Sequence, residues 1–304
     1  MLETLIQMGG LVACGIVWRY LLPEHHSVEQ TRHTLTSLVY YLFLPALVLL
    51  VMWQAPLGIQ TFKISLVAMT GVISAAIVVS MICSVCNISP TTKGAAILAA
   101  SFPNATYLGL PVLEATLGPE GRPIAIQYDL FACMPLLFSL GIWIAARHGT
   151  QTQNSNFSIW KVPAVWSVVV AVILNLQEIS PPSLLKDWLQ LLANGVVPLM
   201  LISLGLSLNI KREYLREMRS IAPVILVKLL FMPAVVLGLA MALAIPGKVF
   251  YGVVLEAAMP SMVIGIVFCD RFGLNTHIYA AAVTITTLLS FITLQLWYTI
   301  ATAV

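Results

Sequence analysis

The sequence has 304 residues, of which 60% are hydrophobic and only 9% carry a charged side chain, against roughly 25% charged in a soluble domain. A chain so poor in charge cannot clothe a globular surface in water, and its mean hydropathy of +0.96 calls for a lipid solvent. The net charge of +3 is small, and there is no basic run of the kind that binds nucleic acid.

A membrane crossing takes roughly 20 residues of helix. Apolar runs bounded by polar clusters predict ten spans, at 4–22, 35–53, 62–86, 94–115, 123–146, 161–177, 187–207, 219–245, 249–269 and 276–300. The first lacks the basic start of a cleaved signal peptide: Glu3 is its one early charge and Arg19 its first cation. The loop after it carries Glu24, His25 and His26, with Glu29 and His33 nearby. Adjacent histidines cannot share a helical face as ligands at i and i+4 do, so a solvated loop is expected and no metal. The second span holds Leu44-Pro45 at its middle, and the third ends on Cys83-Ser84-Val85-Cys86. All five cysteines lie in apolar stretches, where a free thiol packs as a small hydrophobe. Pro103 interrupts the fourth span, and Tyr128-Asp129 opens the fifth. A polar linker at 151–160 leads to the sixth. The seventh holds Val197-Pro198, the eighth Lys228, and the ninth Glu256 and Pro260. A membrane β-barrel is excluded, because Ile64 to Cys86 is a nearly continuous apolar run and barrel strands are short and alternating.

Lysine and arginine mark cytoplasmic loops. Arg19, Arg32, Lys93, Arg147, Lys161, Lys211, Arg212, Arg216, Arg219 and Arg271 follow odd-numbered spans, against Lys63, Arg122, Lys186 and Lys248 after even ones. This bias puts both termini outside the cytoplasm. The Lys211 to Arg219 group also suits contact with anionic lipid.

The prolines suggest a repeat. Pro45 and Pro103 are 58 residues apart, and Pro198 and Pro260 are 62 apart. Residues 1–150 and 161–304 then read as two five-helix units. Since five is odd, the second enters the membrane from the opposite side, an inverted repeat of the kind found in secondary transporters.

Proline inside a helix removes a hydrogen bond and clashes with the preceding turn, and lipid offers the freed carbonyls nothing. Asn104 follows Pro103 and Ser261 follows Pro260; either side chain can cap a new half-helix. Two half-helix N-termini near the midplane favour an anion. Pro103, Asn104, Ala105, Pro260, Ser261 and Met262 are thus the candidate binding residues, with Pro45 and Pro198 as supporting breaks. The plainer alternative is a pair of kinks absorbed by neighbouring helices. Asp129, with Tyr128 beside it, Glu256 and Lys228 lie at membrane depth, where ionisable residues are functional candidates by default. The two carboxylates are the candidates for proton coupling, and Lys228 either joins the site or pairs with a carboxylate. Glu114 falls near the interface. No HExxH pair or GxGD-type aspartate pair is present, so no enzyme activity and no cofactor are expected.

Phe102-Pro103-Asn104-Ala105-Thr106-Tyr107-Leu108-Gly109-Leu110-Pro111, with Leu117-Gly118-Pro119-Glu120-Gly121 behind it, resembles the fourth-helix signature of the auxin efflux carrier family. Ala257 to Pro260 with Phe272-Gly273-Leu274-Asn275, and Pro198 to Ser207, resemble its ninth and seventh helices. The short loop between spans five and six is similar to that of bacterial members. The resemblance implies ten helices in two inverted halves with crossing helices four and nine, and an elevator motion of a transport domain against a scaffold. It further implies an organic anion such as a carboxylate as substrate, a homodimer, and a place in the bacterial inner membrane. Asn104 matches the family's anion-site asparagine, whereas Ser261 stands where a second asparagine is expected. A sodium-coupled symporter of the bile-acid type, or a channel or receptor, is the alternative.

Overall fold

The computed structural model describes residues 2–21, 27–150, 162–208 and 217–304. The Glu24-His25-His26 cluster, the 151–160 linker and the basic residues Lys211, Arg212 and Arg216 lie outside the described residues. The rest is helical. The helices are α1 (Leu2–Leu21), α2 (Val28–Gln54), α3 (Ile59–Val85), α4 (Pro90–Ser101), α5 (105–117), α6 (121–148), α7 (Pro163–Leu176) and α8 (Ser183–Ser207). They continue with α9 (Met218–Ala242), α10 (Gly247–Ala257), α11 (Gly265–Phe272) and α12 (Thr276–Ala303). Every predicted span falls on one of these helices, or on a pair separated at a proline. Among the described residues six continuous helical stretches are long and apolar enough to cross a bilayer, and α1 and α7 are shorter apolar helices. Ile6, Leu21, Ile77, Met81, Val85, Leu184, Leu191 and Ile292 stand exposed on the outside, as a lipid-facing surface requires. The protein is an all-helical, multi-pass membrane protein.

Four of the prolines are absorbed by one local device. Pro45, Pro111, Pro135 and Pro233 each follow a five-residue π turn, at Val39–Phe43, Ala105–Gly109, Asp129–Cys133 and Val227–Phe231. In each case the N–H of the residue before the proline reaches back five residues, as Leu44 does to Val39 and Met232 to Val227. The extra residue moves the ring off the carbonyl it would strike in an α-helix. The freed acceptor can then be met by a side chain. Leu229, four residues before Pro233, takes the Trp297 indole N–H at 2.7 Å.

Two expectations change as a result. Pro45 does not break its helix, because α2 runs unbroken through the π turn. Pro198 is the third residue of a segment that starts at Val196, after a turn at Asn194-Gly195. There a missing N–H is no loss, since the first turn has no acceptors for its donors. These two prolines therefore do different things.

The helices pack as two groups that interleave the sequence halves. In one, α2 packs on α7 and α8, and α1 packs along α8. In the other, α3, α4, α6, α9, α10 and α12 pack on one another. Ties within the first group are specific. Asn175 donates its amide to the carbonyls of Trp53 (2.8 Å) and Ala55 (2.9 Å) at the end of α2, and the Trp53 indole donates to Ile179 O at 2.6 Å. Arg19 donates to Leu208 O at 2.9 Å, where α8 ends. In the second group Lys63 meets Leu243 O at 2.6 Å, beyond the end of α9. A cation on a helix's last carbonyls complements the dipole as well as the orphan acceptor. Gly15 of α1 and Gly205 of α8 meet backbone to backbone: a Cβ on Gly205 would lie 2.1 Å from Val12 O and 2.9 Å from Gly15 Cα.

Candidate functional site

The breaks after α4 and α10 come together as a short antiparallel pairing centred on Pro103 and Ser261. Asn104 N–H donates to Pro260 O at 2.8 Å, and Met262 N–H donates to Phe102 O at 3.0 Å. The central residue of such a pairing turns its own N–H away from the partner, so proline fits at 103 without loss. Ser261 turns its N–H the same way and donates it to Thr286 Oγ1 at 3.1 Å. The Thr286 hydroxyl passes its proton on to Ala282 O at 2.7 Å. Exchanging the two segments therefore matches Phe102 with Pro260, Pro103 with Ser261 and Asn104 with Met262. The two prolines are one residue out of register, and Asn104 and Ser261 are not counterparts.

Neither side chain caps a helix. Asn104 precedes α5 with no side-chain cap, and its carbonyl takes the N–H groups of both Leu108 (3.2 Å) and Gly109 (3.0 Å). Ser261 lies four residues ahead of α11, which starts at Gly265. What the breaks leave open is different from the sequence expectation. The N–H groups of Asn104, Ser261 and Met262 are spent on the protein. Those of Ala105, Thr106 and Tyr107 on one side, and of Val263, Ile264 and Gly265 on the other, have no backbone acceptor among the described residues. The side-chain Nδ2 of Asn104 and Oγ of Ser261 are buried with no hydrogen-bond partner among the described residues. A buried polar group without a hydrogen bond costs about 1–3 kcal/mol, so two at one pairing need a reason. Pro260 supplies the carbonyl for Asn104, Ala105 starts the π turn of α5, and Met262 O accepts the Tyr279 hydroxyl at 2.7 Å.

The three membrane-depth charges are all buried. Asp129 accepts the Thr106 hydroxyl through Oδ2, while its Oδ1 has no protein partner. It faces Leu44 and Val48 of α2 across a cavity of about 10 Å³, so it lies where the two packing groups meet. Glu256 has both oxygens unpartnered and its carboxylate lies on Gly109, where a Cβ would stand 2.3 Å from Oε2. Lys228 donates to Ala257 O at 3.2 Å and to Met232 Sδ at 2.8 Å. Among the described residues no carboxylate pairs with it, so the ion-pair alternative is not seen there. The Tyr128 hydroxyl is likewise buried without a partner. Glu114 sits apart, paired with Arg122.

A cavity of about 340 Å³ leads toward the breaks. Arg32, Tyr40, Tyr107, Ser203, Val263 and Ile264 are among its lining residues. A neighbouring cavity of about 690 Å³ shares Arg32, Ser207, Val263, Ile266 and Val267 and extends to Arg19 and His277. Arg32 is paired with Glu29, and Glu29 and Asp270 also line the second cavity, so the entrance is of mixed charge; it reaches Tyr107, four residues past Pro103, and Val263, three past Pro260. Sequence reasoning passed over Thr106, Gly109, Thr286, Tyr107 and Arg32. A signal for Thr286 existed: Thr284, Thr286, Thr287 and Ser290 are a hydroxyl cluster inside an apolar span, and all are buried. Small polar residues in such a span face other helices.

The membrane transport protein family matches residues 27–162 and 151–298. A transporter of Methanothermobacter thermautotrophicus, described as uncharacterized, is 32% identical over 203 residues, which cover 66% of this chain and 65% of its own length. The transporter MJ1031 of Methanocaldococcus jannaschii is 29% identical over 67% of each chain, and YfdV of Escherichia coli K12 is 27% identical over 66% of this chain and 65% of its own. The aligned region thus spans about two thirds of these relatives' lengths. The chain belongs to the membrane transport protein family, in line with its resemblance to the auxin efflux carriers.

Proposed function

We propose that the protein is a secondary transporter that binds a small organic anion, of the carboxylate class, where the α4/α5 and α10/α11 breaks pair. The carrying observation is that Asn104 Nδ2 and Ser261 Oγ are buried there without partners among the described residues, beside two sets of helix-start N–H groups that have no backbone acceptor among them. Helix starts favour negative charge, and Arg32, which is paired with Glu29, lines the cavity by which an anion reaches the breaks. Pro103, Asn104, Ala105, Pro260, Ser261 and Met262 form the site in this reading.

The chain is read as ten spans in two inverted repeats, 1–150 and 161–304, with α4/α5 and α10/α11 as crossing helices. The group of α1, α2, α7 and α8 acts as scaffold. The other group carries the anion past it by an elevator motion. Two scaffolds pair in a homodimer, and the positive loops set both termini outside the bacterial inner membrane. Protonation of Asp129 or Glu256 couples transport to a proton gradient. Lys228 sits on a carbonyl at the C-terminal end of α10, a place where broken-helix carriers hold a coupling cation. Its ammonium serves as a tethered cation, which favours sodium-independent transport over the bile-acid-type alternative.

The test is uptake of short mono- and dicarboxylates into proteoliposomes. Asn104→Ala and Pro260→Ala are expected to reduce uptake to background while the proteins stay monodisperse. Unchanged uptake in both variants would remove the paired breaks as the site, and sodium-dependent uptake would overturn the role given to Lys228.

A further inference from the structure

A further cavity, of about 730 Å³, lies away from the breaks on the outer surface of the helix bundle. Its floor is α4 at Ile97, and its walls are α3 and the end of α6, both of which pack on α4. One end is apolar: Ile73, Ile77 and Met81 recur every four residues along α3, facing Leu140 and Trp143 of α6. Trp143 is 62% exposed and lies one turn before Arg147, near the end of α6. The other end is polar and basic, lined by Ser84, Asn87, Lys93, Arg147 and His148. Lys93 Nζ donates to Ser84 Oγ at 2.6 Å, which leaves two of its three N–H donors for a ligand. Arg147 is exposed and pairs with no carboxylate among the described residues. His148 turns inward to Ile144 O at 3.0 Å. The α4 helix begins at Pro90 on the rim, adding a positive dipole end. No acidic side chain lines the cavity.

The dimensions match a lipid. From Ile73 to Ser84 the α3 axis runs roughly 16 Å, and half of a hydrocarbon core is about 15 Å. We propose that this groove binds one anionic phospholipid. An acyl chain lies along Ile73, Ile77 and Trp143, and Lys93 and Arg147 hold the phosphate. Basic clefts between transmembrane helices at a membrane face recognise anionic headgroups in this way. A zwitterionic lipid fits the apolar half equally well but gains less from the two cations.

The test uses quenching of Trp143 by bromine on lipid acyl chains in phosphatidylcholine vesicles containing the full chain. The Trp143 signal is the difference between the parent protein and Trp143→Phe. Brominated phosphatidylglycerol is expected to half-saturate this signal at a mole fraction about thirtyfold below brominated phosphatidylcholine, the scale for two basic side chains at about 1 kcal/mol each near anionic lipid. In Lys93→Gln/Arg147→Gln the two curves should coincide. Should that pair aggregate on size exclusion, Arg147→Gln alone, at an exposed helix end, is expected to move the phosphatidylglycerol curve toward the other. Coincident curves in the parent protein would overturn the proposal, as would a preference that survives in the variants. Millimolar glycerol phosphate should leave the signal unchanged; loss of quenching would mean a soluble-phosphate site.

Discussion

Replacing Lys228 with methionine separates a functional cation from a structural one. The ammonium is buried, with one carbonyl at 3.2 Å and one thioether at 2.8 Å as its partners. Losing a hydrogen bond to a charged group removes about 1.5–3 kcal/mol. Against this, burying an ion without a paired counter-charge carries a penalty of several kcal/mol, and methionine is a flexible, apolar replacement of similar length. The two terms nearly cancel, with the desolvation term larger, so Lys228→Met should be neutral or stabilising by up to about 3 kcal/mol. At about 2–4 °C per kcal/mol, the melting temperature should hold or rise by several degrees, while carboxylate uptake in proteoliposomes should be lost. Scanning fluorimetry and uptake on one preparation decide it. A fall in melting temperature on the scale of a broken buried ion pair, about 3–5 kcal/mol, would make Lys228 a structural anchor. Normal uptake would refute its place in the transport cycle.

Asp129→Asn and Glu256→Gln should each alter the pH dependence of uptake, measured from pH 5 to 8; a profile that stays put in both would remove proton coupling through these residues. Gly205→Ala places a Cβ 2.1 Å from Val12 O with backbone on both sides, so α1 must move off α8, and a loss near the upper end of the about 1–3 kcal/mol for overpacking is expected. Gly238→Ala meets nothing within 4 Å in α9 and should gain about 0.5–1 kcal/mol; the same melting experiment should move the two in opposite directions. At Gly109→Ala the clash is with the Glu256 carboxylate, which can swing away, so uptake should fall with little loss of stability.

Much of the fold was legible because lipid makes exceptions costly. Charges and helix breaks stand out in an apolar chain, so Asp129, Lys228, Glu256, Pro103 and Pro260 could be picked out singly. Pro45 misled for a physical reason: its cost presumes an α-helical register, and the π turn at Val39–Phe43 removes that premise. The same six-residue offset from π turn to proline recurs at Pro111, Pro135 and Pro233, but it is invisible until hydrogen bonds are assigned. The pairing register was also hidden. Counting residues between prolines set Pro103 against Pro260, whereas the backbone sets it against Ser261, so the asymmetry between Asn104 and Ser261 carries no information about cargo. Nothing local foretold that Thr286, 25 residues beyond Ser261, would take its N–H, or that helices from both sequence halves would share each packing group.

The most direct measurement is the melting temperature of purified protein with a panel of short carboxylates and their neutral amides, for the parent chain and for Asn104→Ala/Ser261→Ala. The account predicts that at least one carboxylate stabilises the parent chain in a saturable way, that its amide does not, and that the double variant folds but loses the response. A carboxylate that stabilises the double variant as strongly, or an amide that stabilises the parent equally, would contradict an anion site at the paired breaks.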